Sequence, residues 1–230
     1  ELFDEGAARF DASMAELTTF RIGGPADVLV EPRTAGEARV VLEACRRLGV
    51  AVRVMGLGSD VLVADEGLRC VVVRIAESLS QVEVDGERMH VEAGASNADV
   101  ARRACEEGLA GYEFACGIPG TVGGALRMNA GSRDEWIGSR VVSVTTLSPG
   151  KGLVRRDGDQ IAWGYRSSSF ASDEVIVECE LSVEPADPFF IRGKMEASHA
   201  RRKKTQPLSL PSCGSVFRNP EGAPVGALIE

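Results

Sequence analysis

The stretch of sequence that decides the fold is GIPGTVGGALRMNAG, residues 117–131, in which five of the fifteen residues are glycine. Glycine has no Cβ atom, so this backbone can adopt positive φ angles and bring its N–H groups against a ligand. Pro119 fixes one φ angle ahead of the turn, and residues 125–128 are helix formers that predict a short helix with its positive end toward the glycines. A turn packed tightly between two strands is the alternative, but the clustering of glycines favours an anion-binding loop.

A second glycine-rich segment has the sequence GLGSD, residues 56–60, and follows an apolar run of strand length. It matches neither the G-x-G-x-x-G pattern of a Rossmann fold nor the G-x-x-x-x-G-K-[ST] pattern of a P-loop. Two glycines and a serine hydroxyl can still offer several donors to a pyrophosphate. Alone, the segment is equally compatible with an ordinary tight turn, but together with residues 117–131 it predicts a different kind of phosphate site.

The segments around these loops carry strand and helix patterns. Thr34 predicts a helix N-cap, with Glu37 completing a capping box, and Gly49 predicts the C-terminal cap of the same helix. Asp85 and Gly86 predict a hairpin turn. Together these patterns predict a mixed α/β or α+β architecture, with a β-α-β unit near the start. One further helix is capped by Ser96 or Asn97, and another spans about residues 189–202. The predicted strands are residues 28–30, 50–55, 61–63, 70–75, 82–84, 89–91, 141–147, 153–155 and 175–183.

Composition and charge exclude several classes of protein. The chain has 230 residues, 44% hydrophobic and 26% charged, without a long apolar run or a low-complexity block. These values disfavour a transmembrane span and extended disorder, and no signal peptide opens the sequence, so we expect a cytoplasmic protein. The net charge of −8 argues against a nucleic-acid surface, because phosphate backbones are bound by clustered Lys and Arg. We expect no membrane insertion and favour a monomer.

The six cysteines lie far apart and form no C-x-x-C pair, and the chain has only two histidines. This spacing argues against a zinc site. Most of the cysteines fall in apolar patterns, so we expect buried, reduced thiols.

The clearest domain boundary lies at Pro185 and Pro188, which break the last predicted strand before a helix. The segment at residues 206–220 is loop-rich and then briefly strand-like. An apolar pattern begins at residues 225–229 and stops with the chain, so we expect an incomplete C-terminal domain. The predicted domains are residues 1–77, 78–186 and 187–230.

Five stretches of the sequence span nearly the whole chain: TFRIGGPA at 19–26, GLGSD at 56–60, residues 117–131, GYRSSS at 164–169 and CGSVFRNP at 213–220. Together, and in this order, they resemble the family of UDP-N-acetylenolpyruvoylglucosamine reductases. The resemblance implies an α+β fold, in which a two-subdomain FAD-binding unit of the vanillyl-alcohol-oxidase and p-cresol-methylhydroxylase type precedes an α+β substrate-binding domain.

The resemblance implies noncovalent FAD, with NADPH as the reductant. The substrate would be UDP-N-acetylglucosamine enolpyruvate, which receives a hydride at C3 and a proton at C2 to give UDP-N-acetylmuramate for peptidoglycan synthesis. Both glycine loops would hold the cofactor. The implied cofactor contacts are Gly56, Leu57, Gly58, Ser59, Asp60, Ile118, Pro119, Gly120, Thr121, Gly123, Gly124, Asn129, Gly131 and Arg202.

Arg166 resembles the family's active-site arginine, whose guanidinium can bind the enolpyruvyl carboxylate and stabilise the enolate. Ser215 resembles the proton donor to C2, which must lie close to the developing charge. Tyr165 and Asn219 are the further candidates for substrate binding. Without the family motifs, Arg166 and Ser215 would be interpreted as ordinary turn residues and Tyr165 as a core tyrosine, while the basic run at residues 201–204 suits a solvated helix end.

Three features depart from the family pattern. Asp60 replaces the usual asparagine and cannot donate to a phosphate, so backbone donors would have to dominate there. The short spacing between Phe170 and the strand at 175–183 resembles the family type that lacks an inserted tyrosine loop. The family's catalytic glutamate corresponds to a position beyond Glu230.

Two other functions stay open at this point. The first is another FAD-dependent oxidase or dehydrogenase of the same fold, which the stretch GSVFRNP at residues 214–220 argues against. The second is a nucleotide-binding module without catalysis, in effect an inactive FAD-binding fragment, which the unmatched glutamate motivates.

Overall fold

The computed structural model of the chain describes residues 8–132, 135–220 and 225–229. Its first elements are β1 Ala8–Ser13, α1 Met14–Leu17, β2 Pro25–Val30, α2 Ala35–Leu48, β3 Val52–Met55 and β4 Leu68–Arg74. The first sheet has four strands in the order β1-β2-β4-β3. Strand β1 is antiparallel to β2, whereas β4 is parallel to both β2 and β3. The predicted β-α-β unit is therefore present, with β4 inserted between its two strands.

Helix α2 begins and ends where the sequence predicts. The Thr34 hydroxyl oxygen accepts a hydrogen bond from the Glu37 N–H at 3.1 Å, and Gly49 adopts φ 66° at the C-terminal cap. The second bond of the predicted capping box is displaced by one residue, because the Glu37 carboxylate accepts from the Arg33 N–H. The capping signals therefore predict the position of the helix correctly, but they predict the wrong N–H donor for the Glu37 carboxylate.

The second sheet contains β5 Val82–Asp85, β6 Arg88–Glu92, β7 Val141–Ser148, β8 Gly152–Asp157 and β9 Val175–Ser182. These five strands are antiparallel and lie in the order β8-β7-β9-β6-β5. The remaining helices are α3 Asn97–Glu106, α4 Val122–Arg127, α5 Pro188–Thr205 and α6 Val225–Ile229. The predicted hairpin forms between β5 and β6, and the Ser96 hydroxyl caps α3 by accepting from the Asp99 N–H.

The main hydrophobic core contains buried residues from both sheets and from α2, α3 and α4. A smaller cluster lies on the other side of the first sheet, against α1. All strands of the first sheet precede residue 77, all strands of the second sheet follow it, and α5 begins after residue 186. The main core, however, contains residues from both sides of the boundary at residue 77. The three predicted domain ranges stay predictions.

All six cysteines are buried and free, which confirms the expectation of reduced thiols. Burial raises the pKa of Cys45, Cys70, Cys116 and Cys179, so these thiols stay protonated at neutral pH. Within the three described ranges, no group of three or more His, Cys, Asp or Glu could hold a metal ion. None of the helices described there is long and apolar enough to cross a membrane.

Two predicted strands are wrong. Residues 61–63 form no strand: Val63 is 4% exposed and packs into the smaller core cluster, so its apolar character reflects packing rather than pairing. The strand-like residues Val216 and Phe217 lie in irregular, exposed backbone. Helix α4 also begins at Val122, three residues before the predicted start, because Thr121 caps it.

A buried polar cluster holds the chain between β8 and β9. The Glu174 carboxylate accepts from the Ser148 hydroxyl at 2.7 Å, from Arg156 at 2.8 Å and from the Ala171 N–H at 3.0 Å. From α4, Arg127 donates to the Phe170, Ala171 and Glu174 carbonyls. Burial raises the pKa of Glu174, but the donors outweigh it, so the pKa lies below the ordinary 4.5.

Replacing Glu174 by glutamine is expected to lower the free energy of unfolding by about 1–3 kcal/mol at neutral pH, because the half-buried Arg156 loses its charged partner. The folded-state pKa is depressed, so this stabilisation is present above about pH 4.5 and is lost as the pH falls through the folded-state value. Urea unfolding at several pH values measures the difference. The exposed Glu178→Gln on β9 is the control, and a gap between the two variants that persists at low pH would contradict the account.

Candidate functional site at the junction of two glycine loops

The two glycine loops predicted to bind a phosphate lie in direct contact. The Ser59 hydroxyl donates to the Pro119 carbonyl at 3.2 Å. A Cβ atom on Gly56 would clash with the Thr121 hydroxyl, and one on Gly120 would lie 2.5 Å from the Ser59 hydroxyl. The glycines therefore permit the close approach of the two loops.

This junction carries a group of amide donors without acceptors. Gly58 has φ 66° and Gly120 has φ 102°, conformations that favour glycine and turn successive N–H groups to one side. Gly58 and Thr121 are buried, and buried N–H groups in proteins almost always have partners, so this group of donors indicates an anion. Among the described residues, no hydrogen bond uses the N–H of Leu57, Gly58, Ser59, Asp60, Gly120 or Thr121.

The first turn of α4 does not supply donors, contrary to expectation. The Val122 N–H donates to the Ala95 carbonyl and the Gly123 N–H to the Ala93 carbonyl, both at 2.8 Å. The Gly124 N–H donates to the Thr121 hydroxyl at 3.3 Å. The part played by Gly123 and Gly124 in cofactor binding stays a prediction, and it would rest on close backbone approach rather than on N–H donation.

A short hairpin brings Arg166 to the end of the glycine stretch. Strand Trp163–Gly164 pairs with strand Ser167–Ser168, and Arg166 between them has φ 52°. The Asn129 side chain donates to the Gly164 carbonyl at 2.9 Å, and Arg166 Nη2 donates to the Gly131 carbonyl at 3.2 Å. Asn129 and Gly131 thus hold the hairpin, and their contacts with a cofactor stay predictions.

The segment that contains Ser215 is tied to the first loop through Thr19. The Thr19 N–H donates to the Gly58 carbonyl at 3.2 Å, and its hydroxyl donates to the Ser212 carbonyl at 2.6 Å. Gly214 then adopts φ 81°, and Ser215 is exposed. The structure therefore anchors the chain three residues before Ser215 beside the 56–60 loop.

The two candidates for substrate binding lie together. Asn219 Nδ2 and the Tyr165 hydroxyl are 3.3 Å apart, and both residues are exposed. The Arg166 guanidinium lies 5.3 Å from the centre of the Tyr165 ring. Tyr165 is therefore a surface residue beside Arg166 and not a core tyrosine.

Two charged residues flank the junction. Partial desolvation raises the pKa of Asp60, and the positive charge of Arg166 opposes that rise. Arg202 on α5 lies against the start of the glycine stretch, where a Cβ atom on Gly117 would be 3.5 Å from its Cδ. Burial lowers the pKa of Arg202. Ile118, next to Gly117, is half-buried and packs against the main core.

The sequence patterns did not reveal Asn97 and Tyr112, which lie behind the second loop. Both are 1% exposed, and Asn97 contacts the Gly120 carbonyl. The one available signal was the position of Tyr112, five residues before Gly117, in a chain with only two tyrosines.

Known proteins resemble this chain over most of its length. The family model described as FAD binding domain matches residues 26–158, which include both loops. UDP-N-acetylenolpyruvoylglucosamine reductase from Halalkalibacterium halodurans is 39% identical over 98% of this chain and 75% of its own length. The protein of the same name from Clostridium beijerinckii is 35% identical over 100% of this chain and 76% of its own length.

Solved structures agree with the fold. The crystal structure of UDP-N-acetylenolpyruvylglucosamine reductase from Thermus caldophilus superposes with a TM-score of 0.83 at 29% identity, covering 96% of this chain and 77% of that one. Phl p 4.0202, a glucose dehydrogenase, has a TM-score of 0.63 at 15% identity over 81% of this chain and 43% of its own. The second likeness concerns the fold alone.

Replacing Gly58 by alanine is expected to weaken FAD binding about tenfold or more, because the added Cβ would clash with the Leu17 carbonyl oxygen and displace the loop whose N–H groups face the diphosphate. Fluorescence titration of the FAD-free protein measures the affinity. The matched control is Gly86→Ala, which has φ 56° in the β5–β6 turn and no atom within 4 Å of the added Cβ. Equal affinities in the two variants would show that the 56–60 loop does not hold the cofactor.

Proposed function

Because the chain belongs to the UDP-N-acetylenolpyruvoylglucosamine reductase family, we propose that it reduces UDP-N-acetylglucosamine enolpyruvate to UDP-N-acetylmuramate with NADPH. The observation that carries the proposal is the junction of two loops with unpaired amide donors, to which the Arg166 hairpin and the Ser215 segment are both tied. The reaction belongs to peptidoglycan precursor synthesis in the cytoplasm, and we propose a monomer.

The residues at the junction fit FAD held without a covalent bond. The free N–H groups of residues 57–60 and of Gly120 and Thr121 suit the oxygens of a diphosphate, and the glycines leave room for it. Arg202 adds positive charge beside Gly117. When bound, FAD supplies the two-electron chemistry that links NADPH to the enolpyruvyl double bond.

Arg166 binds the substrate carboxylate in this proposal. Its planar guanidinium matches a carboxylate in a two-bond geometry and stabilises the negative charge that develops when the double bond is reduced. The bond from Nη2 to the Gly131 carbonyl fixes the side chain, and the Tyr165 ring lies beside it. Tyr165 and Asn219 form one side of the substrate site.

Ser215 donates the proton that completes the reduction. Its hydroxyl gives a proton to C2, while C3 receives the hydride, so that one NADPH and one proton are consumed for each lactyl group formed. Ser215 is exposed, so solvent can restore its proton. Gly214 at φ 81° gives the backbone the sharp turn that precedes it.

The proposal is tested by following NADPH absorbance with and without the enolpyruvyl sugar nucleotide in the absence of oxygen. We expect oxidation of NADPH that depends on the sugar nucleotide, together with a product that mass spectrometry finds heavier by two hydrogens. The same assay with glucose replacing the sugar nucleotide is the control. Oxidation that needs oxygen but no sugar nucleotide would indicate an oxidase of the same fold instead.

A further inference from the structure

We propose that Tyr112 and Asn97 are positioning residues, whose buried hydrogen-bonded chain fixes the Gly120 carbonyl and so points the Thr121 N–H at the diphosphate of the bound dinucleotide. The inference rests on the proposed function, because it takes a diphosphate as the ligand of the loop junction.

The chain of hydrogen bonds starts in the core and ends at the loop. The Tyr112 hydroxyl donates to Asn97 Oδ1 at 2.9 Å, and both side chains are 1% exposed. Asn97 Nδ2 donates to the Gly120 carbonyl at 3.2 Å, and the Asn97 backbone N–H donates to the same carbonyl at 3.2 Å. The Gly120 carbonyl therefore receives two bonds from one residue, the first of helix α3.

These two bonds determine the direction of the next N–H group. The described peptide bonds are all trans, and in a trans peptide the C=O and N–H groups point in opposite directions. With the Gly120 carbonyl held toward Asn97, the Thr121 N–H points away from it. Thr121 is 2% exposed, and its N–H has no acceptor in the part of the chain that the structure describes. A buried donor of this kind needs an acceptor from a ligand.

The tyrosine has a separate task, which is to orient the asparagine. A carboxamide has a donor end and an acceptor end of nearly the same shape, so Asn97 could present either end to Gly120. The Tyr112 hydroxyl donates to Oδ1, which leaves the NH₂ group for the Gly120 carbonyl. Burial raises the pKa of Tyr112 well above 10, so this donor is present throughout the working pH range.

Tyr112→Phe tests the inference, because it keeps the ring and removes the donor. We expect about a fivefold to tenfold loss of FAD affinity, the size of one lost hydrogen bond, with riboflavin affinity unchanged because riboflavin has no diphosphate. Asn97→Asp should give the same selective loss, because its side chain has no N–H to offer the Gly120 carbonyl and only the backbone N–H of residue 97 stays as a donor. The control is Thr146→Val, which removes a buried hydroxyl on β7 and should change neither affinity.

Loss of FAD and riboflavin affinity by equal factors would indicate a general packing defect and would overturn the inference, as would unchanged FAD affinity. A wild-type protein that binds neither FAD nor inorganic diphosphate would overturn the proposed function, and the inference with it. A measurement on the wild-type protein needs no variant to fold: saturating inorganic diphosphate should slow hydrogen exchange at the Thr121 amide. Unchanged exchange at Thr121 in diphosphate-bound protein would overturn the inference alone.

Discussion

Ser215→Ala is expected to leave flavin reduction by NADPH unchanged and to slow reduction of the enolpyruvyl sugar nucleotide about 10²- to 10⁴-fold, the usual contribution of a positioned proton donor. Alanine cannot supply the proton that C2 requires, whereas the first half-reaction does not use this hydroxyl. Ser215 is exposed, so the substitution should change the free energy of unfolding by no more than about 0.5 kcal/mol. Anaerobic stopped-flow absorbance of the flavin separates the two half-reactions.

The matched control for Ser215 is Ser209→Ala, an exposed serine of the same irregular segment. We expect this control to leave both half-reactions unchanged. If Ser215→Ala slowed both half-reactions by the same factor, Ser215 would not be the proton donor. A general disturbance of the 206–220 segment would instead affect both serine variants.

Arg166→Lys is expected to lower the rate of enolpyruvyl reduction about 10²- to 10³-fold and to raise KM for the sugar nucleotide. Lysine keeps the positive charge but loses the planar fork that grips a carboxylate with two bonds and that also holds the Gly131 carbonyl. Reduction of the flavin by NADPH should stay within about twofold of the original rate, because no substrate carboxylate takes part.

Arg155→Lys serves as the control for Arg166, because Arg155 is an exposed arginine of β8 that pairs with Glu180 away from the loop junction. Its kinetic constants should match those of the original protein. If Arg166→Lys left the rate and KM unchanged, Arg166 would not bind the substrate, and its role would be limited to the structure of the hairpin.

The local signals in the sequence predicted most of the fold. Thr34 and Gly49 located α2, because caps act within a few residues and need no distant partner. The failures came where tertiary packing decides the outcome. Val63 is apolar because it fills the smaller core cluster, and a short apolar run cannot by itself distinguish such a loop from a strand.

The composition of the candidate site was predictable, whereas its geometry was not. The glycine clusters predicted an anion site on both loops, and the family resemblance added Arg166 and Ser215. The sequence did not reveal that the first N–H groups of α4 donate to the carbonyls of Ala93 and Ala95. The donors without partners are therefore those of residues 57–60, 120 and 121. The contact between Asn97 and Gly120 spans 23 residues, and no local pattern predicts it.

The most direct test of the central claim is the visible absorption spectrum of the purified protein, recorded without oxygen before and after NADPH and then after the enolpyruvyl sugar nucleotide. We expect flavin bands that bleach with NADPH and return with the sugar nucleotide, as the proposed roles of the loop junction in holding FAD and of Arg166 and Ser215 in the second half-reaction require. A protein that shows no flavin bands even after incubation with FAD would contradict the assignment of both glycine loops.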